Sequence, residues 1–120
     1  MTHKISPQLQ QHLRQLDGLQ NTYTAVMAQK QSIEAQLIEV KNALSELERT
    51  EEGAEVYKMA GSLLVKVDRE GVNKELNESK TLLEARLKTL EKQEKRLSEE
   101  IGKLNSIISQ MLQREKIVPG

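Results

Sequence analysis

The residues that could carry acid–base or metal chemistry are few in this sequence and stand apart from one another. His3 and His12 are its two histidines, and it has no cysteine. Neither histidine stands with carboxylates at the spacing of a metal site, and no glycine-rich phosphate loop or nucleophile motif occurs. We therefore expect that the chain is not an enzyme and that it uses neither a metal ion nor a cofactor.

The composition favours long helices over a compact globule. Of the 120 residues, 30% are charged, and the aromatic residues are Tyr23 and Tyr57 alone. Leu, Glu, Lys and Gln dominate, as they do in coiled coils. The 18 basic and 18 acidic side chains cancel and form no basic block, so we expect no nucleic-acid binding. The longest apolar run is too short to cross a membrane and no signal peptide is visible, which predicts a cytoplasmic protein.

A coiled-coil seam runs along the first part of the chain. Ser6 and Pro7 are typical of a helix start, with Ser as the N-cap and Pro at the first helical position. From there, mostly apolar residues recur at alternating spacings of four and three over six heptads. This first seam consists of Ile5, Leu9, His12, Leu16, Leu19, Tyr23, Val26, Lys30, Ile33, Leu37, Val40, Leu44 and Leu47.

A second seam has the same spacing. It consists of Leu76, Lys80, Leu83, Leu87, Leu90, Glu94, Leu97, Ile101, Leu104, Ile108, Met111, Glu115 and Val118. In two antiparallel helices, the numbers of facing residues have a constant sum. With sums of 123 and 124, each of the thirteen positions in the second seam faces one position in the first seam. Lys30 then faces Glu94, and we expect this polar layer to fix the register. The alternative is that both side chains extend to water.

A short β-hairpin is predicted between the two helices. Gly53 suits the end of the first helix, and Gly61–Ser62 is a good two-residue hairpin loop between segments rich in strand-forming residues. The predicted pairs are Ala60 with Leu63, Lys58 with Val65 and Val56 with Val67. An isolated hairpin is marginally stable, and this one has apolar groups on both faces. We expect it to pair with the same element of other subunits in a barrel or sheet; the alternative is packing over the helix ends of a monomer.

The apolar stripe widens where the two chain ends meet. Leu13 and Leu112 fall on one flank of the seam, Ile107 falls on the opposite flank, and Ile117 extends the C-terminal end. A two-helix seam does not need these groups, so they predict a partly exposed apolar surface of the kind that marks an interaction site. The alternative is that a third helix covers them.

Two segments carry a family resemblance. Residues 55–68, with the sequence EVYKMAGSLLVKVD, resemble the signature of the prefoldin β-subunit family. Residues 82–94, with the sequence LLEARLKTLEKQE, are similar to the start of that family's second helix. A single β-hairpin is typical of the β type, since the α type carries two, and the length resembles the archaeal form.

The resemblance implies one mainly α domain: a long antiparallel two-helix coiled coil with a central β-hairpin that joins an intersubunit β-barrel. Its expected parts are an N-terminal helix at 6–50, the hairpin at 54–67 and a C-terminal helix at 69–116. The implied assembly is a hexamer of two α and four β subunits. Its coiled-coil tips would hold non-native proteins and deliver them, without ATP, to a group II chaperonin.

The resemblance also assigns residues to these roles. Assembly falls to Val56, Tyr57, Met59, Leu63, Leu64, Val65 and Val67. Client binding falls to the distal apolar residues Leu9, Leu13, Leu16, Ile107, Ile108, Met111, Leu112 and Ile117. The alternative function is a structural coiled-coil adaptor with one fixed protein partner.

Overall fold

The computed structural model describes residues 5–115 and contains four elements. Helix α1 spans Pro7–Arg49, strand β1 spans Val56–Ala60, strand β2 spans Leu63–Val67, and helix α2 spans Arg69–Arg114. The prediction of a mainly α fold, with two long helices joined through a small antiparallel hairpin, is confirmed. The helices divide between two compact units. Within the described residues, the terminal unit comprises 5–29 and 90–115, and the hairpin unit comprises Lys30–Thr89.

Side-chain caps fix the starts of both helices. The Ser6 hydroxyl accepts a hydrogen bond of 3.1 Å from the backbone N–H of Leu9, and the helix then begins at Pro7. Asp68 acts in the same way for α2, because its carboxylate accepts a 3.1 Å hydrogen bond from the Gly71 N–H. Each cap satisfies an N–H group that has no partner within its helix, which stabilises a helix by about 1 kcal/mol.

The terminal unit is held together by aliphatic side chains from both helices. Leu9 of α1 is fully buried, and it forms a core cluster with Leu104 and Ile108 of α2. Leu16, Leu19, Met111 and Leu112 pack against this cluster and remain partly exposed. Burying one such side chain contributes about 1.5–3 kcal/mol. Packing between the helices therefore dominates the stability of this unit.

The hairpin unit has its own buried aliphatic residues, Ile33, Leu37 and Leu47 from α1 and Leu83 from α2. Across both units, every described seam position except Ile5 is buried or half-buried. The intervening positions are almost all exposed. The alternating four-and-three spacing thus identified the inner stripe of each helix correctly.

The hairpin has the register that its loop predicts. Val56 pairs with Val67, Lys58 with Val65, and Ala60 with Leu63. Gly61 begins the two-residue loop with a φ of 63°, in the left-handed region that favours glycine. Successive side chains therefore alternate between two faces, with Tyr57, Met59, Leu64 and Lys66 on one of them.

Candidate assembly and client-binding surfaces

The seven residues predicted for assembly lie on both faces of the hairpin, and we call them together the hairpin surface. Val56 and Val67, at its base, are half-buried. The others are exposed: Tyr57 by 51%, Met59 by 73%, Leu63 by 67%, Leu64 by 68% and Val65 by 45%. The two strands form a two-stranded sheet, so the outer side of each is an edge. Exposed apolar side chains beside unpaired edges make this surface suited to pairing with further strands.

A small polar network borders the face of the hairpin that carries Tyr57. The Tyr57 hydroxyl and the Lys66 ammonium both donate hydrogen bonds to the carboxylate of Glu55. The hydrogen bond from Tyr57, assisted by the one from Lys66, lowers the pKa of Glu55. The same bond to Glu55 raises the pKa of Tyr57. The network keeps three polar groups at the base of the strands and leaves Met59 and Leu64 as the apolar part of that face.

The opposite face of the hairpin has an ionic contact with α2. The Lys58 ammonium lies 3.7 Å from the carboxylate of Glu75. Both side chains are largely exposed, so this ion pair contributes at most about 1 kcal/mol. The ion pair connects β1 to the first turns of α2, and this connection favours one orientation of the hairpin relative to the helix.

Arg69 closes the junction between α1 and the hairpin. Its guanidinium donates hydrogen bonds to three backbone carbonyls at the end of α1, those of Leu47 at 2.7 Å, Thr50 at 3.0 Å and Glu51 at 3.0 Å. Leu47 lies in the last turn of α1, and its carbonyl also accepts hydrogen bonds from the backbone N–H and the hydroxyl of Thr50. Thr50 and Glu51 directly follow the helix, so the guanidinium lies at its negative end. One side chain from the start of α2 therefore caps α1, and hydrogen bonds join the two helix ends that flank the hairpin.

Sequence reasoning missed Arg69, although a signal was present. A cation in the first turn of a helix is unfavourable, because the N-terminal end of the helix dipole is positive. Arg69 is the first residue of α2. Such a placement indicates that the cation serves another acceptor, which here is the C-terminal end of α1.

The predicted client-binding residues divide into core and surface positions. Leu9 and Ile108 are buried, so in this conformation they support the terminal unit and offer a client almost no accessible area. Leu16, Met111 and Leu112 are half-buried. Leu13 and Ile107 are the most accessible, at 39% and 42%. Ile117 lies outside the described residues. Any apolar contact with a client therefore depends on the flanking positions rather than on the seam itself.

A groove opens beside Ile107 in the terminal unit, and we call it the terminal groove. Its apolar lining consists of Ile107 and Met111, and its polar lining consists of Gln8, Gln11, His12, Arg114 and Glu115. Two polar atoms in this lining, His12 Nδ1 and Glu115 Oε2, are buried and have no hydrogen-bond partner within residues 5–115. An unsatisfied buried polar group costs about 1–3 kcal/mol.

Lys30 and Glu94 are both half-buried seam residues, and their pairing stays a prediction. Within residues 5–115, no cluster of three His, Asp or Glu side chains could hold a metal ion. Across the same part of the chain, neither helix is long and apolar enough to cross a membrane.

The fold defines a class of protein, the two-helix coiled coils joined through a β-hairpin, and comparisons with known proteins make the class specific. Residues 10–115 match the family model described as prefoldin subunit. The chain is 44% identical over 108 residues to prefoldin subunit beta of Thermococcus onnurineus, covering 90% of this chain and 93% of the relative. It is 39% identical over 112 residues to prefoldin subunit beta of Sulfurisphaera tokodaii, covering 93% and 90%. This chain belongs to the prefoldin subunit family.

Solved structures agree with this assignment. The crystal structure of the prefoldin beta subunit from Thermococcus strain KS-1 superposes with a TM-score of 0.83 at 40% identity, covering 92% of this chain and 97% of that one. The beta2 subunit from the same strain has a TM-score of 0.66 at 21% identity, covering 76% and 97%. At that identity, the second likeness shows the fold alone.

Proposed function

We propose that this chain is a β-type prefoldin subunit that acts as an ATP-independent holdase. In this proposal it assembles with an α-type subunit into a cytoplasmic hexamer of two α and four β chains. The distal ends of its coiled coils bind non-native proteins and deliver them to a group II chaperonin. The chain works by binding and release, with no covalent chemistry.

The exposed hairpin surface is the observation that carries the proposal. Five large apolar side chains on ten strand residues are open to solvent, although a two-stranded sheet has little stability of its own. Burial of this surface against hairpins of other subunits would remove the apolar area from water and pair the strand edges. The solved prefoldin beta subunit from Thermococcus strain KS-1 has the same fold over 97% of its length.

The terminal unit supplies the surface for clients in this proposal. Exposed segments of unfolded proteins differ in sequence, so a holdase needs contacts without a fixed direction, which apolar side chains provide. Leu13 and Ile107 present moderate apolar areas on the two flanks. A weak contact at each of several coiled coils adds up through effective concentration when they hold the same client.

A single experiment tests both halves of the proposal. The chain is mixed with an α-type subunit, its native mass is measured, and the particle is added to a denatured test protein without nucleotide. We expect a hexamer that suppresses aggregation of the test protein. A particle of fixed mass that leaves aggregation unchanged would support the adaptor function, because an adaptor recognises one folded partner.

A further inference from the structure

The hairpin is attached to the helices without a buried apolar core of its own. Neither strand contains a fully buried residue, and only Val56 and Val67, at the base, are half-buried. The other strand residues are exposed, so their apolar side chains do not hold the hairpin against the helices. Apolar packing is also non-directional. The orientation of the hairpin must therefore depend mainly on directional polar contacts near its base.

Arg69 joins the two connections between the hairpin and the helices. The chain leaves α1 through Thr50 and Glu51, and it enters α2 at Arg69 itself. The Nη2 atom of Arg69 donates a 2.7 Å hydrogen bond to the Leu47 carbonyl. Its Nη1 atom donates two bonds of 3.0 Å, to the carbonyls of Thr50 and Glu51. Because a guanidinium is planar and its donors have fixed directions, these three bonds hold the two connections in one relative position.

A second polar contact restrains the tilt of the hairpin. The Lys58 ammonium, on the middle residue of β1, lies 3.7 Å from the Glu75 carboxylate of α2. Bonds at the base alone leave a hairpin free to tilt about that point, whereas a contact farther along the strand removes this freedom. The ion pair is exposed and therefore weak. Arg69 thus provides most of the restraint, and Lys58 selects the side towards which the hairpin leans.

We propose that Arg69, together with the Lys58–Glu75 pair, is a positioning residue that sets the angle between the hairpin and the two helices. This inference rests on the proposed function, in which the hairpins of several subunits form a barrel and the helices extend from it. A fixed angle at each hairpin then fixes the direction in which each coiled coil leaves the barrel. Arg69 therefore acts on the geometry of the assembly, although it lies outside the hairpin surface.

The angle is measured as a distance between two spin labels in the same chain. The sequence has no cysteine, so Ser62→Cys in the hairpin loop and Ser79→Cys at an exposed position of α2 provide the attachment points. Double electron–electron resonance is recorded on the labelled chain alone. It is recorded again in a particle assembled with an α-type subunit and an excess of unlabelled chains. We expect one narrow distance distribution in both samples.

Arg69→Lys should broaden this distribution, because an ammonium keeps the charge but lacks the planar fork that reaches three carbonyls. Each lost bond from the charged donor should raise the population of other hairpin angles roughly tenfold. Lys58→Glu should shift the distribution, and Lys58→Glu/Glu75→Lys should restore it. The matched control is Arg49→Lys, which should leave the distances unchanged, because Arg49 forms its ion pair with Glu46 of its own helix.

An unchanged distribution in an Arg69→Lys chain whose helices persist by circular dichroism would overturn the proposal. Failure of the Lys58/Glu75 exchange to restore the distances would also overturn it, and this arm decides the matter if Arg69→Lys does not fold. A broad distribution in the free Arg69→Lys chain that becomes narrow in the particle would overturn it as well, because the barrel would then set the angle. A wild-type chain that forms no particle would refute the proposed function, while the free-chain distances would still decide the role of Arg69.

Discussion

The terminal unit buries most of its apolar side chains fully or partly, whereas the strands of the hairpin unit expose most of theirs. In the terminal unit, Leu9, Leu104 and Ile108 are buried against one another, and the flanking Leu13 and Ile107 stay moderately exposed. In the hairpin unit, the strands expose most of their apolar side chains, including Met59 and Leu64. Two helices can bury one stripe each, whereas two strands with apolar residues on both faces cannot bury either face alone.

In the proposed function, this difference separates a permanent interface at the hairpin from a reversible one in the terminal unit. A surface as apolar and as exposed as the hairpin needs continuous cover, as obligate interfaces do. The smaller flanks of the terminal unit tolerate water and suit contacts that form and break. Substitutions in the two units should therefore affect different properties of the protein, and the predictions below run from the largest expected effect to the smallest.

The largest effect is expected for Val65→Asp on the hairpin surface. In the proposed barrel this change buries an unpaired charge, which costs several kcal/mol. Sedimentation should show smaller particles, while circular dichroism should show that the helices persist. Ser62→Asp in the exposed loop is the matched control, since it adds the same charge outside the strands. A Val65→Asp particle of unchanged mass would count against the barrel.

The next effect concerns holding activity in the terminal unit. Leu13→Ser/Leu112→Ser should keep the oligomer mass and helical content but lose most of the suppression of aggregation. Leu112 packs partly against the core, so a loss of about 1 kcal/mol in unfolding free energy is also expected. Ile38→Ser/Leu82→Ser removes two apolar side chains that are more exposed, at 60% and 55%, from the hairpin unit and should leave holding intact. Full suppression by the Leu13/Leu112 variant would place the client surface elsewhere.

Arg69→Leu should weaken the junction between α1 and the hairpin. The change leaves three carbonyls at the end of α1 without their charged donor, so we expect a loss of about 1.5–3 kcal/mol in unfolding free energy. Hydrogen exchange should be faster at the end of α1 and in the hairpin, with little change in the terminal unit. Arg49→Leu is a suitable control, because Arg49 forms only an exposed contact with Glu46. Unchanged exchange at the junction in the Arg69 variant would mean that its hydrogen bonds contribute little.

The smallest effect is expected for Lys30 and Glu94. If the predicted register is correct, each single change to Leu leaves the other charge opposite an apolar group, and the double change is milder. Because both residues are half-exposed, we expect a coupling energy of about 0.5–1 kcal/mol in a double-mutant cycle of unfolding. A coupling near zero would require a different register for the two seams.

The periodicity of the sequence was sufficient to predict the two helices and the side of each helix that is buried. The four-and-three spacing predicted which side of each helix is buried, because an apolar residue every 3.5 positions returns to the same face. Gly61–Ser62 predicted the strand register, because a two-residue loop permits few pairings. The run from Glu55 to Asp68 also indicated the family, which the later comparisons confirmed.

Tertiary structure alone decided how individual side chains are used. Leu9 and Leu13 are one turn apart on α1, yet the first is buried and the second is exposed, because α2 covers only one side of the helix. Arg69 reaches carbonyls about twenty positions earlier in the chain, and His12 and Glu115, which are distant in sequence, line the same groove. Local spacing sets the direction of a residue on its own helix, but the partner it meets depends on contacts between residues distant in sequence.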